Sequence, residues 1–474
     1  MVKRAAAGLQ LLEPIRVAAL ASGVSPSPEP ALSDGPTAML VCHGMGQQVP
    51  FETLDALARC LRDRHRLGGG DVDVALRFVL FEGCEQATPR AELRFHDGSP
   101  EARFQREVHL YEAYWAPLTE GAINYWQTAT KLIVAGWQGL QQSIRRKRFD
   151  RWMFGRYWWM RIVPGTAQTL VALLVVLAPI LLLALAAGVA IAPVFSWWIG
   201  RFLSAGPALD AVLRLLIVAI VLLPLIPLRR FVRQYLGDVI IYVSSHEVNA
   251  FWQIRDKIKA IGLQAAAQIY RALSSQPSAD APGRFTYPTI TLVGHSLGSV
   301  VAYDTLNSMI RGDQLDDDRL RVVARTQALI TLGSPLDKVA FMFREHAKNA
   351  VVREALAAGM QPLIQDYRYR PRYWLNVFSK RDVISGLLDY FDPPNQADEP
   401  RRVRNYEDTD AGLNPVSAHT DYWLRSVGSN ILYCAAMGDL TGIERPAAAG
   451  APAGARSVEK AVKPAPQTAP HVEW

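Results

Sequence analysis

A chain of 474 residues holds one large domain with insertions or two modest ones. Half of it is hydrophobic and a fifth charged, which excludes a disordered chain, and four cysteines without a CxxC pair exclude a disulfide scaffold or zinc ribbon. The net charge of +7 suits an anionic partner, but the cations cluster beside long apolar segments, so no nucleic acid is expected.

The first 36 residues read as an N-terminal extension; Glu13, Pro14 and Arg16 interrupt any signal-peptide core. Cys42, Cys60, Cys84 and Cys434 read as reduced thiols of a cytosol-facing protein. Residues 37–150 form the first part of the core. The apolar run 37–41 leads into His43-Gly44-Met45-Gly46, a strand followed by a loop suited to bind an oxyanion through the N–H of Gly44 or Met45. His43 is either a turn residue or a brace for that loop, with the brace preferred. Residues 50–61 read as a helix, and 72–81 and 108–115 as strands.

Residues 151–233 read as a transmembrane hairpin with its flanks. Residues 165–192 carry no charge and would span about 42 Å as a helix, enough to cross a bilayer. Residues 211–228 are the second span, with Arg214 snorkelling to an interface, and a re-entrant or interfacial helix as the other reading. Seven Lys or Arg lie between Arg145 and Arg161, Arg229, Arg230 and Arg233 follow the second span, and only Arg201 lies in the connector. Tryptophans and tyrosines flank the first span. Basic residues stay on the cytoplasmic side, so both termini and the core are expected there, on an integral protein of a bacterial inner membrane.

The second part of the core covers residues 234–442. Residues 239–243 extend a strand or start a long helix ending near Leu273. The apolar run 289–293 enters Gly294-His295-Ser296-Leu297-Gly298, and a helix follows from Ser299. Strand, tight turn and helix are what a nucleophile elbow requires. Gly294 and Gly298 leave room for the turn, His295 supports it, and Ser296 is lifted clear of the sheet. Residues 328–332 and 373–378 are two further buried strands. Alternating strands and helices predict an α/β fold, a mostly parallel sheet with helices on both faces. Residues 443–474, rich in Ala and Pro, are expected to be a disordered tail.

A serine hydroxyl needs a base, and the base an orienting carboxylate. In α/β-hydrolase order both follow the serine. Of the three later histidines, His471 is in the tail and His346 in a charged helix-like stretch, which leaves His419. Asp382 follows the strand ending at Phe378; Asp337 is its competitor, and Asp389 and Asp392 lie further from a strand end. The expected site is Ser296 as nucleophile, His419 as base and Asp382 as its orienting acid. Leu297 and Gly44 or Met45 donate to the oxyanion, and no metal or organic cofactor is needed.

Gly294-His295-Ser296-Leu297-Gly298-Ser299-Val300-Val301-Ala302-Tyr303-Asp304 resembles the serine motif of the intracellular DDHD-domain phospholipases. Leu332-Gly333-Ser334-Pro335-Leu336, Asn376-Val377-Phe378 with Asp382-Val383, and His419-Thr420-Asp421-Tyr422-Trp423 are similar to further segments there. Upstream, His43-Gly44-Met45-Gly46, Tyr114-Trp115 and Asp238-Val239 have looser counterparts. The resemblance spans about residues 38–440 and implies a lipid-directed serine hydrolase that releases a fatty acid from a glycerophospholipid. It implies the same roles for Ser296, Asp382 and His419. An inserted membrane hairpin is foreign to that family's pattern. The expected partners are membrane lipid and an acyl-ester substrate; the oligomeric state is left open. A thioesterase or acyltransferase would use the same triad, and a silent hydrolase-like scaffold at the membrane is the non-enzymatic alternative.

Overall fold

The computed structural model describes residues 10–19, 35–44, 48–99, 101, 103–119, 251–274, 284–317, 319–336, 363, 366–382, 384–388, 391–392, 399–412 and 415–443. The chain divides into two compact units, one of Met1–Gly44, Gln48–Ala116 and Asp256–Trp474, the other of Met45–Gln47 and Pro117–Arg255. Of the second unit only residues 117–119 and 251–255 are described, so the fold below is that of the first.

The ten strands are β1 (Gln10–Leu11), β2 (Ile15–Val17), β3 (Thr37–Cys42), β4 (Asp71–Phe81), β5 (Thr88–His96), β6 (Phe104–Ala113), β7 (Thr289–His295), β8 (Thr326–Leu332), β9 (Tyr373–Phe378) and β10 (Val403–Glu407). They form one sheet in the order β1-β4-β5-β6-β3-β7-β8-β9-β10, with β2 also on β4. From β6 to β10 every pair is parallel, whereas β4, β5 and β6 run as an antiparallel meander. The mostly parallel α/β expectation therefore holds, with an antiparallel flank that hydropathy did not reveal.

Burial explains the difference. In the parallel part of the sheet β3 and β9 are buried at every position, as interior strands covered on both faces must be, and their sequences are correspondingly apolar. By contrast β5 carries Arg90, Glu92 and Arg94 on one face, and β10 is the half-polar edge Val-Arg-Asn-Tyr-Glu. Neither reads as a strand from hydropathy alone.

The helices are α1 (Glu52–Leu67), α2 (Phe251–Arg271), α3 (Gly298–Leu315), α4 (Val322–Arg325), α5 (Pro415–Thr420) and α6 (Ser426–Met437). On one face Met39, Val41, Val293, Ile330 and Leu375 pack with Leu54, Leu57 and Leu61 of α1 and Ile431, Leu432 and Ala435 of α6. Each of these side chains except the small Ala435 contributes about 1.5–3 kcal/mol on burial. On the other face Trp374 of β9 meets Tyr303 of α3 at 5.7 Å and Phe391 at 5.1 Å. From there α2 packs on α3. A methyl on Gly262 would come within 2.4 Å of the Thr305 hydroxyl, so only glycine allows that approach, and Lys259 pairs with Asp304 at 3.2 Å.

The membrane spans expected over residues 165–192 and 211–228, and the tail over 443–474, lie outside the described residues apart from Ile443. Among the described residues no helix is long and apolar enough to cross a membrane.

Candidate active site

At its C-terminal end β7 turns directly into α3. Ser296 occupies that turn with φ of +53°, a left-handed conformation that costs a non-glycine residue on the order of 1–3 kcal/mol. The turn is held on several sides. The Ser296 N–H donates to the Leu332 carbonyl of β8 at 2.9 Å, and the Ser299 hydroxyl donates back to the Gly294 carbonyl at 3.0 Å. Side chains have no room here: a methyl on Gly298 would lie 2.1 Å from the Cys42 carbonyl, and one on Gly294 2.4 Å from the Ser299 Cα. The spacing of these glycines in the sequence is a packing requirement. Beyond Ser296, the Leu297 N–H has no hydrogen-bond acceptor among the described residues.

His419 lies on α5, a helix of six residues. Its Nε2 is 2.8 Å from the Ser296 Oγ and its Nδ1 is 2.9 Å from the Asp382 Oδ2. Asp382 follows β9, is fully buried, and accepts the Ile384 N–H on Oδ1 at 2.8 Å. Burial pushes its carboxyl upward, but the His419 imidazole, the Ile384 N–H and the Tyr422 hydroxyl outweigh that and hold it below the usual carboxylate range. Because the carboxylate can only accept, His419 carries its proton on Nδ1 and presents Nε2 to the serine. The three expected residues, more than 120 positions apart at the extremes, meet in one hydrogen-bonded chain.

Gly44 follows β3 beside this chain; a methyl there would come within 3.1 Å of the Ser296 Cβ and of the His295 Nδ1. His43 is the brace rather than a free turn residue. Its Nε2 accepts the Trp115 N–H at 3.0 Å, so its Nδ1 must carry the proton that meets the Gly44 carbonyl at 2.8 Å. The ring stacks on Trp115 at 4.6 Å, and burial keeps it neutral, pushed down to about 4. Met45, the alternative oxyanion donor, lies outside the described residues.

His295 does more than support the elbow. Its Nε2 donates to the main-chain carbonyl of His419 at 2.8 Å, and its ring lies 5.2 Å from the His419 ring and 5.7 Å from Trp423. Burial, then the nearby His419, lower it to about 4, so it remains neutral beside the base.

Of the competitors, Asp392 is committed elsewhere: it makes a buried ion pair with Arg370 at 2.5 Å. Asp337, Asp389, His346 and His471 lie outside the described residues.

Sequence reasoning missed a second tier of residues. The Tyr422 hydroxyl donates to the Asp382 Oδ2 at 2.8 Å, the oxygen that also faces His419. Gly333, at φ of +60°, leaves space for that junction, since a methyl there would sit 2.8 Å from the Tyr422 ring and 3.2 Å from the His419 Nδ1. Arg425 secures the segment bearing the base. It donates to the carbonyls of Ser417, Ala418 and Asp421, pairs with the buried Asp408 at 2.9 Å, and lies over the Tyr422 ring at 4.7 Å. Tyr422 is within the segment that resembles the phospholipase family, but nothing in the spacing of a tyrosine discloses that its hydroxyl meets the acid.

A possible metal-ligand set lies elsewhere. Glu92, Glu107 and His109, on β5 and β6, have ligand atoms within 4.8 Å of one another. Glu92 is already bonded by both Arg77 and Arg90, and His109 spans Glu107 and Tyr287, so a cation would have to displace formed ion pairs.

No family model, curated protein or solved structure was found to match this chain.

Proposed function

We propose that this chain is a serine hydrolase that cleaves carboxylic esters, with lipid acyl esters, phospholipids among them, as its substrates. The observation that carries this reading is the chain Asp382–His419–Ser296, with His419 Nε2 at 2.8 Å from a serine hydroxyl in a strained strand-to-helix turn. Ser296 Oγ attacks the ester carbonyl and passes its proton to His419 Nε2. The oxyanion is held by the Leu297 N–H and that of Gly44 or Met45, beside the N-terminus of α3. His419 then gives the proton to the departing alcohol as the carbonyl–oxygen bond breaks. Water, deprotonated by the same imidazole, releases the acid from the acyl-enzyme and restores the serine.

An α/β-hydrolase fold is supported by the placement of the elbow after β7, the acid after β9 and the base after β10, all at the carboxyl ends of parallel strands. The lipid substrate rests on the segments similar to the DDHD-domain phospholipases and on the two apolar stretches, which we read as a membrane anchor. Detergent-purified chain incubated with a total lipid extract should release fatty acid, and Ser296→Ala should not. A fluorophosphonate probe should label the natural chain alone. Equal labelling of both proteins rules the nucleophile out.

A further inference from the structure

We propose that Tyr422 is a positioning residue that sets the basicity of His419, by sharing the Asp382 Oδ2 atom with the imidazole N–H. This rests on the hydrolase reading above and adds to it the control of the base.

The geometry is a three-way junction. Asp382 Oδ2 lies 2.9 Å from His419 Nδ1 and 2.8 Å from the Tyr422 hydroxyl, while Oδ1 accepts the Ile384 N–H. Two donors on one oxygen divide its electron density. The more tightly Tyr422 holds it, the less Asp382 can stabilise an imidazolium on His419. The Tyr422 hydroxyl is itself divided: it also approaches the Ser385 Oγ at 3.2 Å, and Ser385 donates to the Ser379 carbonyl at 3.3 Å. Tyr422 is fully buried, so no water competes for the hydroxyl. Burial, then the adjacent Asp382, push it well above the usual phenol value, which keeps it a donor at every working pH.

The other charged or titratable groups around the junction do not do this work. His295 faces His419 and is neutral, lowered to about 4. The Ser296 hydroxyl donates to the far nitrogen, Nε2, and does not touch Oδ2. Arg425 touches the face of the Tyr422 ring and pairs with Asp408, away from Oδ2. Tyr422 is the side chain besides His419 that donates to the Asp382 carboxylate among the described residues.

Two variants of the full chain move the base in opposite directions. Tyr422→Phe frees Oδ2 for His419, so the acidic limb of kcat/KM for a p-nitrophenyl ester should move up by about one pH unit. Ser385→Ala leaves Asp382 as the remaining acceptor of the Tyr422 hydroxyl, so the limb should move down by a few tenths of a unit. This opposed pair of shifts is the expected result. Loss of rate with an unmoved limb, or shifts of the same sign, would overturn the proposal. If Tyr422→Phe does not fold, Ser385→Ala decides alone: a downward shift supports the role and any other result removes it. The His419 pKa read by NMR follows the same shifts in protein that hydrolyses nothing, so an inactive chain defeats the hydrolase reading without touching this one.

Discussion

The sheet carries two buried runs of carboxylate, imidazole and hydroxyl, one at the carboxyl ends of the parallel strands and one on the antiparallel flank. In the first, Asp382 meets His419 and His419 meets Ser296. In the second, Glu107 meets the His109 Nε2 at 3.1 Å and the His109 Nδ1 lies 2.9 Å from the Tyr287 hydroxyl. The residue types correspond, and the difference is in how each run ends. Tyr287 is closed off: its hydroxyl also meets Tyr111 at 2.6 Å and takes a bond from Arg90 at 3.0 Å, and burial pushes it far above the usual phenol value. Ser296 has His419 as its partner and stands in a strained turn beside the Leu297 N–H. On the proposed hydrolase reading, the difference that matters is a terminal hydroxyl left uncommitted, since an imidazole beside a buried acid is equally at home in a structural network.

The largest effect should separate the two runs. Ser296→Ala should lower ester turnover by at least about 10⁴-fold, and Asp382→Asn by a similar factor through the wrong imidazole tautomer. Tyr287→Phe, in the corresponding position of the flank, should leave turnover at moderate temperature within about threefold, because it touches no reacting atom. A steady-state assay of the three variants checks this, and a Tyr287→Phe loss comparable to Asp382→Asn would erase the distinction.

Stability should reverse the ranking. Arg90 is buried, bonds Glu92 twice and meets the Tyr111 and Tyr287 hydroxyls. Arg90→Met leaves Glu92 half-paired, with Arg77 alone, and should cost about 3 kcal/mol in urea unfolding. Ser296→Gly, which relaxes the positive φ, should instead gain on the order of 1 kcal/mol while abolishing turnover. A destabilised Ser296→Gly would mean that the strain at the elbow is absent.

The two runs were also unequally legible in the sequence. The run that ends at Ser296 could be read because its parts lie next to features with strong local constraints: glycines around Ser296 and an apolar strand before Asp382. The order of acid and base along the chain supplied the rest. The helix that carries His419 has six residues, too few to leave a periodic trace in the sequence. In the flank, β4 and β6 were legible as strands, but β5 between them was not. Arg90, Glu92 and Glu107 look like solvated charges, and only the pairing of β5 between β4 and β6 shows that some face inward. Tyr422 and Arg425 were missed for the same reason. A side chain whose purpose is to satisfy another buried group carries no pattern of its own.

Acid should test the carboxyl ends of the parallel strands through two histidines that are held neutral. His43 and His295 are held neutral, each lowered from 6.5 to about 4. The unfolded chain takes up protons at these positions before the folded one does. Their contribution is therefore complete above about pH 6.5 and is lost as the pH falls through about 4, by up to about 3 kcal/mol each. Unfolding free energy should fall across that window, and His295→Gln, which retains an N–H donor without the titration, should flatten part of the slope. An unchanged slope would place the acid sensitivity elsewhere in the molecule.

The smallest effect concerns the strand that joins the two regions. Glu112 is the penultimate residue of β6, three residues beyond His109, and its carboxylate accepts the Phe51 N–H at 3.1 Å, at the start of α1. Burial raises it from 4.5 to about 7 against the opposing bonds from Phe51 and Thr53. The sign is opposite to that of the histidines: the folded chain holds this proton more tightly, so its contribution is full below about pH 4.5 and is lost as the pH rises through about 7. Glu112→Gln keeps an acceptor for Phe51 and never ionises. It should be close to neutral at pH 5 and stabilising by about 1–2 kcal/mol at pH 9, measured by urea unfolding at both values. Equal effects at the two pH values would show that the shape of the side chain, and not its charge, governs this end of β6.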